Sequence, residues 1–173
     1  MHPRTFLTLS VFLAMTLFSR AEPLTVGAAA PAVSGVTETG ATLSLAEVYQ
    51  HQPYTLVYFF PKADTPGCTA QGCSLRDAYT VLQGKGLAVI GVSEDTVEAQ
   101  KAFKDKYHFP FTLIADHDGK VMKAFGVPNI PLTHLAKRQA YLIKDGKIVW
   151  ADYSAATKEQ AADVLKVLAG QNG

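Results

Sequence analysis

Cysteine is scarce in this 173-residue chain, which has only Cys68 and Cys73. Four residues separate them, so the C-x-x-C pair typical of dithiol oxidoreductases is absent. Neither sign of charge dominates: sixteen Lys and Arg stand against fifteen Asp and Glu, for a net charge of +1. There is no basic excess to bind nucleic acid or an anionic membrane. Charged residues make up 18% and hydrophobic ones 48%. That balance excludes a disordered chain and fits one globular domain with a sizeable core. Internal repeats, low-complexity tracts and nucleotide, flavin or haem motifs are all missing. The N-terminal apolar run, Phe6–Phe18, has thirteen residues, short of the roughly 20 that cross a bilayer.

That run has its own reading. Arg4 precedes it, and Ser19-Arg20-Ala21 follows with small residues at the outer positions. Charged, apolar and small-residue regions in that order form a signal peptide. We expect cleavage after Ala21, giving a 1–21 signal segment and a single 22–173 domain that is periplasmic or secreted. No cysteine follows the run, which argues against a lipid anchor. Removal of Arg4 and Arg20 leaves fourteen basic and fifteen acidic residues, so the mature protein is near neutral. Export also places the two thiols where disulfides persist.

Past the lead-in, Leu24–Val36, and a turn at Thr37–Gly40, Ser44 and Glu47 form a capping-box pattern for a short helix over Leu45–Tyr49. Tyr54–Phe60 is apolar throughout and reads as a strand buried on both faces, ended by Pro61. Cys68–Gln83 has helical spacing, with Leu75, Tyr79 and Leu82 on one face. Leu87–Val92 is a second buried strand, Thr96–Tyr107 a helix, Phe111–Ile114 a third strand and Lys120–Phe125 one or two helical turns. Gly126–Lys137 holds two prolines and reads as a loop whose apolar residues pack over something. Gln139–Ile143 and Lys147–Asp152 flank Asp145-Gly146, a hairpin signal, and Thr157–Leu168 is a terminal helix. Strands alternating with helices, then a hairpin and a helix, predict a thioredoxin-like α/β fold: a mixed central sheet flanked by helices on both faces. Chemistry in such sheets collects where strand C-termini meet helix N-termini.

Cys68 falls at that junction. In Thr65-Pro66-Gly67-Cys68, Thr65 suits the N-cap and Pro66 the first helical position. The unpaired N–H groups and positive dipole end of the first turn favour an anion such as a thiolate.

The spacing P-x-x-x-T-x-x-C at Pro61, Thr65 and Cys68, within PKADTPGCT and followed by Cys73 and LRD, resembles the peroxiredoxin active-site signature. It is similar to the branch of bacterioferritin comigratory protein, or peroxiredoxin Q. The likeness runs from about Leu24 to Leu168 and includes DGKVMKAFGV and RQAYLIKDGKIVW. It implies a peroxidase acting on hydrogen peroxide and organic hydroperoxides without cofactor or metal. Cys68 is then the peroxidatic cysteine, which attacks the O–O bond and becomes a sulfenic acid. Thr65 bonds the peroxide or the thiolate, Pro61 shields the thiol, and Arg138 stabilises the developing charge. Cys73 is the local resolving cysteine, forming an intramolecular disulfide that a thioredoxin-like donor reduces. A monomer or weak dimer is the expected state. One departure from the family pattern is Ala32-Val33 after Pro31, where an acidic and an aromatic residue are usual.

Helix geometry places Cα atoms five residues apart at roughly 8.6 Å, whereas a disulfide needs less than about 7 Å. The two cysteines cannot bridge while the helix is whole. Gly72 weakens that helix by about 1 kcal/mol relative to Ala, or else serves packing. A purely structural bridge would close a short loop for little gain and cost a helix. Two rivals are a thiol–disulfide protein, which wants C-x-x-C, and a copper-binding one, which wants a distant histidine such as His134 and a different cysteine spacing.

Overall fold

The computed structural model describes residues 22–171. The expected signal segment lies outside them. In chain order the elements are β1 (Ser34–Thr37), β2 (Thr42–Ser44), α1 (Leu45–His51), β3 (Tyr54–Phe59), α2 (Pro66–Asp77), α3 (Tyr79–Gly84) and β4 (Leu87–Ser93). Then come α4 (Val97–Tyr107), β5 (Thr112–Ala115), α5 (Lys120–Ala124), β6 (Gln139–Lys144), β7 (Lys147–Asp152) and α6 (Gln160–Gly170). The strands form one seven-stranded sheet in the order β2-β1-β5-β4-β3-β6-β7. β4 runs parallel to β3 and β5, while β6, β7, β1 and β2 pair antiparallel with their neighbours.

β3 and β4 sit at the centre, and their composition explains why. Every residue of β3 is buried. Tyr54, Leu56 and Tyr58 join Leu75, Leu82, Phe103 and Leu168 from α2, α3, α4 and α6 on one face. Val57 and Phe59 join Leu45 and Val121 from α1 and α5 on the other. This is the mixed sheet with helices on both faces that the pattern predicts. The Ser44 hydroxyl accepts from Glu47 N at 3.4 Å, capping α1 as expected. The β6–β7 turn places Asp145 at φ 50° and Gly146 at φ 70°, the left-handed pair of a tight hairpin turn.

Four expectations change. The single helix over Cys68–Gln83 is two, broken at Ala78, whose ψ of 1° is not helical. The extended lead-in contains β1 and the turn after it leads into β2, adding an antiparallel edge beyond β5. α6 starts at Gln160 rather than Thr157. In the loop Gly126–Lys137, Val127 and Ala136 are buried at its two ends, but Leu132 at its tip is fully exposed. The prolines and the left-handed Leu132 (φ 63°) turn the tip outward, so only the base of the loop packs.

Candidate active site

The C-terminal end of β3 leads directly into the loop before α2, and that loop is tied down from both sides. Asp95 Oδ2, just past β4, accepts from Ala63 N at 2.7 Å and from the Ser93 hydroxyl at 2.6 Å. Asp64 adopts φ 58° and is gripped by Lys106 Nζ and Tyr107 Oη, each at 2.7 Å. Hydrogen bonds from Lys106 and Tyr107 hold the Asp64 carboxyl below its ordinary range. Pro66 then opens α2, where its fixed φ and missing N–H cost nothing. The first backbone bond closing the helix runs from Thr69 N to Thr65 O at 2.8 Å. The N–H groups of Gly67 and Cys68 therefore precede the helical ladder.

Cys68 lies in this first turn, 2% exposed. Arg138, the residue before β6, reaches it from the start of the strand beside β3: Nη2 donates to Sγ at 3.3 Å. Nη1 of the same guanidinium donates to Gln71 Oε1. Gln71 Nε2 donates in turn to Gln160 Oε1 at 2.7 Å. Both glutamines are wholly buried. A charged planar donor with two branches fixed in this way points one N–H at sulfur and stabilises an anion there. Gly67 keeps the approach open, since a Cβ at that position would stand 3.3 Å from Arg138 Nη2. Arg138 also lines a cleft of about 410 Å³ with Pro61, Ile130, Lys137, Tyr153 and Ala155.

Of the expected site residues, the structure thus joins Cys68 to Arg138 by a hydrogen bond, and Arg138 to Pro61 through a shared cleft. Thr65 is also beside Cys68 in sequence and holds the N-cap position, but its hydroxyl makes no cap bond. It donates instead to Lys62 O at 3.0 Å. The capping role of the side chain is corrected on that point: the carbonyl of the preceding turn captures the hydroxyl proton, and its lone pairs remain available. Cys73 lies in the same unbroken helix as Cys68, half-buried against the same apolar cluster, and both thiols are free. Gly72 resolves in favour of packing. A Cβ there would fall 2.5 Å from Phe109 Cζ, so the ring needs the bare backbone.

Three contributors escaped the sequence reading. Gln71 is on the helix face of Cys68 by its three-residue spacing, the one signal in the sequence that marks it. Gln160 has no local signal at all. Tyr58 reads as core, and it is core, yet its buried hydroxyl has no hydrogen-bond partner among the described residues. Burial first, then the negative charge of Cys68, raises its pKa well above the ordinary tyrosine value, so it stays a neutral proton-bearing group in the apolar cluster that also holds Cys68. His134 does not approach the cysteines. It is exposed and lines a separate cleft with Glu94 and Asp118. Among the described residues, no group of three or more His, Cys, Asp and Glu is placed to hold a metal ion.

Residues 26–151 match the model of the AhpC/TSA family. The chain is 37% identical over 144 residues to peroxiredoxin Q of rice, a chloroplastic protein; the match covers 82% of this chain and 65% of the rice protein. The chain thus spans just under two thirds of that relative's length. The solved structure of the peroxidoxin BcpB from Mycobacterium tuberculosis superposes with a TM-score of 0.78 at 27% identity, covering 84% of this chain and 96% of that one. Bacterioferritin comigratory protein of Xanthomonas campestris, studied for alkyl peroxide reduction, superposes with a TM-score of 0.73 at 25% identity, covering 82% and 92%.

Proposed function

The chain belongs to the AhpC/TSA family, in its peroxiredoxin Q branch, and from that premise we propose that it reduces peroxides with Cys68 as the nucleophile. The observation that carries this reading is the 3.3 Å approach of Arg138 to the Cys68 sulfur at a helix N-terminus. The thiolate of Cys68 attacks the distal peroxide oxygen. The O–O bond breaks, Cys68 becomes a sulfenic acid, and the leaving alkoxide or hydroxide takes up a proton to depart as alcohol or water. Arg138, with donors aimed at sulfur and held by Gln71, stabilises the charge as it moves from sulfur to the departing oxygen. The Thr65 hydroxyl turns between Lys62 O and the peroxide, and Pro61 walls off the cleft. Hydrogen peroxide and organic hydroperoxides both fit a short, open cleft of this kind; alkyl peroxide reduction by the Xanthomonas relative supports the second class.

Cys73 resolves the intermediate. Its thiol attacks the Cys68 sulfenic sulfur, an intramolecular disulfide forms, and the sulfenic oxygen leaves as water. Since α2 is continuous through both cysteines, the helix must unwind locally for this step. A thioredoxin-like dithiol donor then returns both thiols. Residues 1–21 act as an export signal removed after Ala21, so the donor acts outside the cytosol, on a monomer or weak dimer.

The test is peroxide consumption by wild type, Cys68→Ser and Cys73→Ser under a dithiol donor. Cys68→Ser loses all activity. Cys73→Ser still forms sulfenic acid but recycles poorly. Equal activity in all three refutes the proposal.

A further inference from the structure

Thr65 has one hydroxyl proton and gives it to Lys62 O at 3.0 Å. The place of that carbonyl is set from elsewhere. Lys62 O and Ala63 N belong to one peptide unit. The unit is trans, so the two groups point in opposite directions from one plane. Asp95 Oδ2 accepts from Ala63 N at 2.7 Å. One carboxylate therefore holds one side of the peptide, and the Thr65 hydroxyl rests on the other.

Asp95 is itself aimed. Its Oδ2 also accepts from the Ser93 hydroxyl at 2.6 Å. Gln100 Nε2 donates to Ser93 Oγ at 2.7 Å and to Ile114 O at 3.0 Å. Ile114 O can only accept, so the amide of Gln100 must face it with nitrogen. Ser93 then accepts from Gln100 and gives its single proton to Asp95. Ser93 and Gln100 are buried. This chain of bonds starts on β5, passes through α4 and β4, and ends on the loop that carries Pro61 and Thr65. The loop needs it, because the residue after Ala63, Asp64, is left-handed at φ 58°, a strained conformation for a side chain other than glycine. Without its outside partners the loop relaxes, and Lys62 O turns with it.

We propose that Asp95 is a positioning residue for peroxide capture: through the Lys62–Ala63 peptide it sets where the Thr65 hydroxyl stands when the peroxide arrives. This rests on the reading of Thr65 as a group that bonds the peroxide. The hydroxyl has two partners in the reaction, Lys62 O and the peroxide, and Asp95 fixes the first. A fixed carbonyl keeps Thr65 in one orientation. A carbonyl free to swing spreads it over several, most of them unproductive. The Cys68 sulfur is held separately by Arg138, so Asp95 acts on the peroxide and leaves the thiolate as it is.

The experiment uses the full chain carrying Cys73→Ser, so that Cys68 is the one thiol and sulfenic acid formation the one step read. Two rate constants are measured for each variant. Rapid-quench mass spectrometry gives sulfenic acid formation with hydrogen peroxide. Alkylation by iodoacetamide reports the thiolate without any peroxide contact. Asp95→Ala slows sulfenic acid formation about tenfold to a hundredfold, and alkylation is unchanged. Asp95→Asn, whose amide oxygen still accepts from Ala63 N, recovers most of the rate. Ser93→Ala slows it about threefold to tenfold, the worth of one hydrogen bond. Added to Thr65→Val, neither Asp95→Ala nor Ser93→Ala has a further effect, since both act through the hydroxyl already removed. An Asp95→Ala loss that persists undiminished beside Thr65→Val, or that alkylation shares, overturns the proposal, and so does no loss at all. Where Asp95→Ala does not fold, Ser93→Ala is held to the same three outcomes. If Thr65→Val reacts with peroxide as fast as its parent, the role of Thr65 and that of Asp95 fall together, and Cys68 stands as the nucleophile.

Discussion

Gly72→Ala is a test of how α2 is packed and of when that packing is released. The new methyl would stand 2.5 Å from Phe109 Cζ and 3.0 and 3.1 Å from the adjacent ring carbons. The ring has little freedom to withdraw. It is 3% exposed, stacked on Phe111 at 5.3 Å and set edge-on to Phe103 at 4.9 Å. Overpacking of this kind costs about 1–3 kcal/mol, against a gain of about 1 kcal/mol from replacing glycine in a helix. A hemmed-in ring puts the cost in the upper part of its range, so we expect a net loss of about 1–2 kcal/mol in the reduced protein. On the proposed mechanism the disulfide form has α2 unwound around Gly72, which removes the clash. The substitution therefore penalises only the reduced state and favours the disulfide. At 30 mV per 1.4 kcal/mol for a two-electron couple, the reduction potential becomes more negative by about 20–40 mV. Thermal melts of both redox forms and equilibration in a graded dithiothreitol buffer measure this. A loss of roughly 2–4 °C per kcal/mol is expected in the reduced form alone. Equal losses in both forms with an unchanged potential would show that the Gly72–Phe109 contact survives oxidation, and the unwinding argument would collapse.

Two further outcomes are expected. Arg138→Lys keeps the charge but cannot reach the Cys68 sulfur and Gln71 together, so kcat/KM for peroxide falls by about 100-fold while the melting temperature changes little; steady-state kinetics against hydrogen peroxide decide it. Asp64→Asn removes the grip of Lys106 and Tyr107 on the loop before α2. The folded-state pKa of Asp64 is depressed, so its contribution to stability is complete above the ordinary carboxylate pKa of about 4. It is lost as pH falls through the lower, folded-state value. Urea midpoints of the two proteins should stay a constant small distance apart from neutral pH down to about 4, then converge as pH falls further toward the folded-state value; a gap that opens on acidification would contradict the assignment.

What the sequence made legible was local. Tyr54–Phe60 and Leu87–Val92 are apolar on both faces, which marked both as buried strands, and the central strands β3 and β4 are where they fall. Asp145-Gly146 announced its hairpin, and Ser44 with Glu47 its helix start. Pro61, Thr65 and Cys68 were legible because a strand end, a loop and a helix start are written in consecutive residues. What stayed hidden depends on distant partners. β1 and β2 have four and three residues and owe their existence to pairing across the sheet, which no short window shows. The break at Ala78 interrupts a face, Leu75, Tyr79 and Leu82, whose spacing runs on without a gap; nearby, Arg76 Nη1 is drawn to Tyr107 O at 2.8 Å. Gln71 and Gln160 are neutral amides that resemble any solvent-facing helix residue until the fold buries each against the other. The exposed Leu132 shows the reverse error, an apolar residue at a proline-bounded tip that composition alone would have turned inward.

The most direct measurement is a single-turnover pulse of one equivalent of peroxide to the reduced protein, quenched at increasing times and mapped by mass spectrometry. Sulfenic acid on Cys68 is expected first, then a Cys68–Cys73 disulfide with faster amide exchange across residues 68–76. Oxygen appearing first on Cys73, or a disulfide formed with the exchange of those residues unchanged, would contradict this mechanism.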